Sequence, residues 1–148
     1  MKPSFKSILA VSVIAMAMSS CSKSVLTKRC ELTGEGRIVI VGIVSDRSTN
    51  QPLENIQLDF KAMDLDGKEV CTETAYSSDT GAYIIDVENI TSVVNCTIKA
   101  TSDDGSYKDA VKKAQVSWSG AAFNRKDNTY TINDFNFYLQ SNDKNKNR

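Results

Sequence analysis

Short runs of β-branched and aromatic residues, separated by clusters of Gly, Asn, Asp and Pro, dominate the chain from Arg37 onward. Residues 56–62 (IQLDFKA) alternate apolar and polar side chains with period two, which is typical of a strand buried on one face. We therefore expect Ile56, Leu58 and Phe60 to point into a core. The same reasoning predicts about seven strands. They cover residues 37–46, 56–62, 69–76, 83–87, 93–101, 114–118 and 133–139.

Turn chemistry separates these runs. Asp64-Leu65-Asp66-Gly67 and Ser77 to Gly81 contain the residues that accept the backbone angles of a tight reversal. Strands that recur roughly every ten residues, with no helical pattern between them, indicate an all-β chain. The predicted fold is a single β-sandwich, Ig-like or transthyretin-like, over residues 37–141. Residue 142 to the end (NDKNKNR) reads as a disordered tail.

The first twenty residues have the layout of a secretory signal peptide. Lys2 and Lys6 precede an apolar run over residues 8–18, and Ser19-Ser20 stand directly before Cys21. This run is shorter than the roughly twenty residues that span a bilayer, so a transmembrane anchor is the weaker interpretation. We predict a cleaved signal over residues 1–20 and a flexible tether over residues 21–36.

Met18-Ser19-Ser20-Cys21 resembles the lipobox of bacterial lipoproteins, with Met18 in the place of the usual leucine. This resemblance implies that Cys21 carries a diacylglyceryl group and palmitate-type acyl chains, which contribute about 0.8 kcal/mol per buried methylene. The alternative is an ordinary signal, cleaved near Ser20, followed by an incidental cysteine. We expect the membrane to be a partner through this anchor.

Composition excludes several classes of function. The mature chain would carry 16 basic and 18 acidic residues, because Lys2 and Lys6 are removed with the signal peptide. This balance lacks the excess of positive charge that binds nucleic acid, so we expect no nucleic-acid partner. The sequence has no histidine, which removes the commonest general base and zinc ligand. We expect no enzyme activity, no catalytic residues, no cofactor and no metal. A glycan hydrolase that uses two carboxylates, about 5 to 9.5 Å apart, remains an alternative.

Three cysteines remain after Cys21, an odd number for an oxidising compartment. Cys71 and Cys96 lie on predicted strands, so we predict a disulfide between them, with Cys30 on the tether left over. The alternative is that all three are reduced thiols.

Three aromatic residues, Trp118, Phe123 and Tyr130, flank a predicted loop over residues 120–128 and could contact a glycan or a protein partner. Packing at the edge of the core is the alternative. The acidic pairs Asp64/Asp66 and Asp103/Asp104 lack the ligand spacing of an EF-hand, so turn formation is favoured over calcium binding.

Residues 42–87 resemble the carboxypeptidase-regulatory-like domain, a transthyretin-like β-sandwich common in envelope proteins of the Bacteroidota. The matching positions are Gly42, Val44, Asp46, Thr49, Pro52, Leu53, Asn55 and Ile56, followed by Gly81, Tyr83 and Ile85. Ser77 and Ser78 stand where the pattern has Thr and Asp. Together with the lipobox and Asp103-Asp104-Gly105, the chain is similar to the radical-SAM-associated lipoproteins of the same bacteria.

This resemblance implies a location and a fold but no catalytic residues. No acidic residues directly follow Cys21, unlike the export signal of surface lipoproteins, so the outer membrane facing the periplasm is the expected location. We expect a non-enzymatic binding or structural module of the cell envelope, whose partner is an envelope protein or a glycan. The alternatives are a substrate of a radical-SAM modifying enzyme and a glycan-binding accessory lipoprotein.

Overall fold

The computed structural model describes residues 29–30, 35–88, 90, 93 and 95–142. The predicted signal peptide and Cys21 lie outside these residues. Within them the secondary structure consists of strands, and no helix could cross a membrane. The ten strands are β1 (Arg29–Cys30), β2 (Arg37–Asp46), β3 (Ile56–Met63), β4 (Glu69–Tyr76), β5 (Ala82–Glu88), β6 (Asn95–Ser102), β7 (Ala110–Gln115), β8 (Phe123–Asn124), β9 (Thr129–Ile132) and β10 (Phe137–Leu139).

The first sheet has the strand order β1-β4-β3-β6-β7 and is antiparallel throughout. Strand β3 is central, and Phe60 lies between Glu73 on β4 and Ile98 on β6. Ile56, Leu58 and Phe60 are all buried, which confirms the inward face predicted from the alternation.

The second sheet is built around β2. Strand β5 pairs with it antiparallel from Arg37 to Ile43. On its other side β9 runs parallel beside residues 37–40, and β10 runs parallel beside residues 44–46, while β8 pairs with β9. At ten residues, β2 is long enough to hold both short parallel strands in succession.

The core lies between the two sheets and contains the inward side chains of both, which confirms the predicted all-β sandwich. Gly42 marks a place where the backbones come very close. A Cβ at this position would overlap the carbonyl oxygen of Phe135 and stand 2.8 Å from Cε1 of Tyr83. The Tyr83 hydroxyl donates a hydrogen bond to the same Phe135 oxygen, and burial raises the pKa of Tyr83 above its ordinary value.

Several boundaries differ from the sequence predictions. The predicted tether contains β1, which pairs with β4 at the edge of the first sheet. Strand β7 begins four residues before the predicted run over 114–118, and the predicted loop over 120–128 contains β8. Asn142, assigned to the tail, donates hydrogen bonds to the carbonyl oxygens of Gly105 and Ser106. The rest of that tail lies outside the described residues.

The predicted disulfide between Cys71 and Cys96 is wrong. Both residues pair with Ala62 of β3, one from β4 and the other from β6, so they stand two strand spacings apart. This separation is roughly 9.5 Å, beyond the limit of about 7 Å between the Cα atoms of a disulfide. Cys96 is a free, buried thiol, and burial raises its pKa to about 11. Cys71 is disulfide-bonded, which also excludes the alternative of three reduced thiols.

Candidate functional site

The predicted aromatic residues come together at one end of the sandwich. Phe123 of β8 and Tyr130 of β9 are direct cross-strand partners. Trp118 follows β7 and meets the Phe123 ring edge-to-face, with 5.7 Å between the ring centroids. Aromatic rings favour this arrangement because the positive edge of one faces the negative face of the other. The three rings therefore form one aromatic cluster.

The polar atoms of this cluster are used within the fold. Trp118 Nε1 donates to the carbonyl oxygen of Val93 over 2.8 Å, and the Tyr130 hydroxyl donates to that of Gln115 over 3.3 Å. A Cβ on Gly36 would stand 2.6 Å from the Trp118 ring, so this indole packs directly on the backbone. The cluster packs at the rim of the core, as the alternative interpretation expected. A ligand contact at these rings stays a prediction.

A second candidate surface lies on the outer side of the second sheet. We call it the β2–β5 face and define it by four exposed side chains, which are Val41, Ile43, Ile84 and Tyr138. Their exposed fractions are 38%, 49%, 53% and 58%. Val41 is the direct cross-strand partner of Ile84, and Ile43 lines the same pocket as Tyr138. These side chains thus form one apolar patch across three strands.

The sequence carried a signal for this face. Residues 37–46 (RIVIVGIVSD) are apolar at both alternating sets of positions, a pattern typical of strands covered on both sides. In the structure Ile38, Ile40 and Val44 of the inner set are buried, whereas Val41 and Ile43 of the outer set are exposed. The outer side of β2 is therefore as apolar as a covered surface at Val41 and Ile43, although the described part of the chain leaves both residues exposed.

An ion pair borders the β2–β5 face at one end. Arg37 Nη2 lies 2.5 Å from Asp86 Oδ2, and Arg37 Nε donates to Asp86 Oδ1 over 2.8 Å. This two-point contact raises the pKa of Arg37 above its ordinary value, first through the hydrogen bond and then through the charge of Asp86. The apolar patch therefore ends in a fixed pair of opposite charges.

Two pockets flank the exposed ring of Tyr138 at the other end. The first, of about 420 Å³, is lined by Arg47, Ala110, Lys112, Asn136 and Phe137 as well as Tyr138. The second, of about 370 Å³, is lined by Ile43, Ser45, Asn50, Pro52, Thr80, Asn136 and Tyr138. Their volumes fall within the range of small-molecule sites, which begins at about 300 Å³. Each combines the aromatic ring with hydrogen-bonding groups.

Asn136 and Lys112 are positioned by contacts between strands. Asn136 Oδ1 accepts a hydrogen bond from the backbone N–H of Ile43 over 2.9 Å, which fixes the segment before β10 against β2. Lys112 Nζ donates to the Asn136 carbonyl oxygen over 2.9 Å and lies 4.5 Å from the centroid of the Phe135 ring. This cation thus bridges the edge of the first sheet to the edge of the second.

Acidic residues of the turns accept hydrogen bonds from nearby backbone N–H groups. The Asp46 carboxylate accepts hydrogen bonds from the N–H groups of Ser48 and Thr49, over 2.7 and 3.0 Å, and these lower the pKa of Asp46. The Tyr107 hydroxyl donates to the same carboxylate over 3.0 Å. Across the described residues, no group of three or more His, Cys, Asp or Glu side chains is placed to hold a metal ion.

Asp104 forms a tighter cluster of the same kind. It accepts hydrogen bonds from the hydroxyls of Ser102 and Ser106 and from the Ser106 N–H, the last over 2.9 Å. These bonds, with that from Ser102 the strongest, lower the pKa of Asp104 to about 2. Gly105 has a φ of +69°, which completes the turn. This geometry is that of a turn between β6 and β7.

Comparisons with known proteins give the chain no family. No protein-family model matches it, and no curated protein does. Among solved structures it is similar to the C-terminal domain of the shaft pilin SpaA from Lactobacillus rhamnosus GG, at 11% identity and a TM-score of 0.44. That similarity covers 72% of this chain and 99% of the pilin domain.

A second similarity is to a 9R-lipoxygenase from Cyanothece PCC8801, at 12% identity and a TM-score of 0.40, covering 90% of this chain and 22% of the enzyme. At these values neither similarity bears on function.

Proposed function

We propose that this protein is a lipid-anchored module of a bacterial cell envelope that binds an envelope partner through its β2–β5 face, without catalysing a reaction. The observation that carries this proposal is the contiguous exposed patch of Val41, Ile43, Ile84 and Tyr138. Contiguous apolar patches on folded proteins mark sites of interaction more often than isolated apolar residues do.

The anchor follows from the amino-terminal sequence. A basic start, a short apolar run and Ser19-Ser20-Cys21 provide the elements of lipoprotein processing. Two or more acyl chains on Cys21 would hold the mature protein stably at a membrane surface, which a single chain does not achieve. The proposed site is the outer membrane, with the sandwich facing the periplasm.

Binding follows from the chemistry of the face. A tyrosine beside aliphatic side chains resembles the apolar centre of protein interfaces, where tyrosine is enriched and charged residues are depleted. The Arg37–Asp86 pair supplies a polar border. We therefore assign the contact to an envelope protein with a complementary apolar surface.

The anchor is tested by metabolic labelling of the native protein with radioactive palmitate. We expect label in the wild type and its loss in Cys21→Ser, which should also release the protein from the membrane fraction. Cys96→Ser is the matched control because it removes a thiol inside the core. Membrane fractionation unchanged by Cys21→Ser would refute the anchor.

The binding face is tested by a photo-crosslinking amino acid incorporated at Ile84 in intact cells. Val111 is the matched control, since it is 56% exposed, close to the 53% of Ile84, but lies on the first sheet. We expect a discrete protein adduct from position 84 and none from position 111. Equal adducts, or none at either position, would remove the assignment.

Glycan binding is a second candidate, favoured by the two pockets beside Tyr138. An exposed ring next to the amide of Asn50 and the hydroxyl of Thr80 offers stacking together with hydrogen bonds. Calorimetric titration with envelope polysaccharide tests it. Tyr138→Ala should abolish the binding heat, whereas Tyr76→Ala, which changes an exposed ring on the first sheet, should leave it unchanged.

A further inference from the structure

The bonding states of Cys71 and Cys96 limit which cysteine can be the disulfide partner of Cys71. The chain has four cysteines, at positions 21, 30, 71 and 96. Cys96 is a free thiol, whereas Cys71 is disulfide-bonded. Within one chain, the partner of Cys71 is therefore Cys21 or Cys30.

Strand pairing distinguishes these two. In the antiparallel pair of β1 and β4, the backbone of Cys30 lies directly opposite Cys71. Directly opposed residues of antiparallel strands have Cα atoms about 4.5 to 5.5 Å apart, which is within the range that a disulfide requires. We infer that Cys30 and Cys71 form an intrachain disulfide that fastens the start of the folded domain to the edge of its first sheet.

Formation of this disulfide requires an oxidant of the envelope that accepts two electrons. Two thiols lose two protons and two electrons and form one S–S bond, while a disulfide of a thiol oxidoreductase accepts them and becomes a dithiol. Exchange proceeds through a mixed disulfide with one of the two cysteines. The buried Cys96 thiol, with its raised pKa, is the least available to interfere.

The pairing accounts for the odd cysteine count and leaves the thiol of Cys21 available for acylation. This second consequence rests on the proposed function. Cys30 lies nine positions after Cys21, so an extended tether reaches at most about 30 Å from the bilayer to the fastening point. The sandwich would be held close to the membrane by a covalent contact with an edge strand.

Peptide mapping of the mature protein from envelopes tests the pairing. The protein is denatured without reductant, alkylated with N-ethylmaleimide and cut with trypsin and with a protease that cleaves before Asp. These cuts place Cys30 in 30–37, Cys71 in 69–78 and Cys96 in 86–99. We expect 30–37 linked to 69–78, and 86–99 carrying one maleimide. A link from 69–78 to any other cysteine peptide, or maleimide on all three peptides, would overturn the inference.

The same digest tests acylation of Cys21 independently of the disulfide. Peptide 21–23 should carry acyl chains if the proposed function holds, whether or not the 30–71 link is found. In Cys71→Ser, peptide 30–37 should carry maleimide at full occupancy, whereas in Cys96→Ser the link should persist at wild-type yield. Persistence of a linked 30–37 peptide in Cys71→Ser would count against the pairing.

Discussion

Replacing Gly42 by alanine should strongly destabilise the sandwich. Gly42 carries no positive φ, so the effect of a methyl group is steric rather than conformational. The new Cβ would overlap the Phe135 carbonyl oxygen, a backbone atom that cannot rotate away, and would press on the Tyr83 ring. The hydrogen bond from Tyr83 to Phe135 lies at the same place.

Two costs combine in this variant. Forcing an extra methyl into a close-packed site costs about 1–3 kcal/mol. Displacing the Tyr83 hydroxyl leaves a buried carbonyl without its donor, which costs about 1–3 kcal/mol more. We therefore expect Gly42→Ala to lower the free energy of unfolding by about 2–6 kcal/mol, a large part of the total for a domain of this size.

Urea denaturation followed by fluorescence of Trp118, the single tryptophan, measures this change. Gly67→Ala is the control, since its Cβ would meet nothing and only the positive φ should cost about 1–2 kcal/mol. In a Tyr83→Phe background, where the hydrogen bond is already lost, Gly42→Ala should cost less. A Gly42→Ala variant within about 0.5 kcal/mol of wild type would refute the reasoning.

Three further predictions concern the core, an edge strand and a turn. Phe60→Ala should cost about 3–5 kcal/mol in the same assay, because the ring is fully buried at the centre of the first sheet. Lys112→Leu should promote self-association measured by light scattering. Lys112 lies opposite the buried Ile98, and a charge on that side of the edge strand β7 discourages edge-to-edge pairing. Lys113→Leu should not have this effect, because Lys113 lies opposite Thr97 on the outward side of the sheet. Asp104 has a folded-state pKa of about 2 against an ordinary 3.8, so its stabilisation is present above pH 3.8 and is lost as the pH falls towards 2. Asp104→Asn should flatten the dependence of the urea midpoint on pH in that window, and an unchanged slope would contradict this.

Strands with clear alternation or strong apolar character could be predicted from the sequence. The run over residues 56–62 identified β3 and its inward residues, because one face of that strand is buried and the other is not. The pattern could not locate β1 and β8, since two-residue strands are too short to show a period. Strand β7 was misplaced because Val111 and Lys112 are both exposed, so its alternation is weak.

The cysteine pairing was predicted wrongly because it depends on how strands distant in sequence are ordered in the sheet. Cys71 and Cys96 were both located correctly on strands, but the distance between them depends on strand order. Strand β3 lies between β4 and β6, and no local pattern in the sequence encodes that order. Trp118 and Phe123 were both noted as flanking one predicted loop, and the structure brings their rings into contact.

The parallel pairing of β2 with β10 has a consequence for the order of events during folding. Val44 and Phe137 are register partners although 93 positions separate them, so the second sheet cannot close until β10 is available to pair. Pairings this remote in sequence form slowly, because a long loop must be ordered first. A chain synthesised from its amino terminus presents the apolar β2 before these partners exist, and unpaired apolar strands are prone to aggregation during that interval.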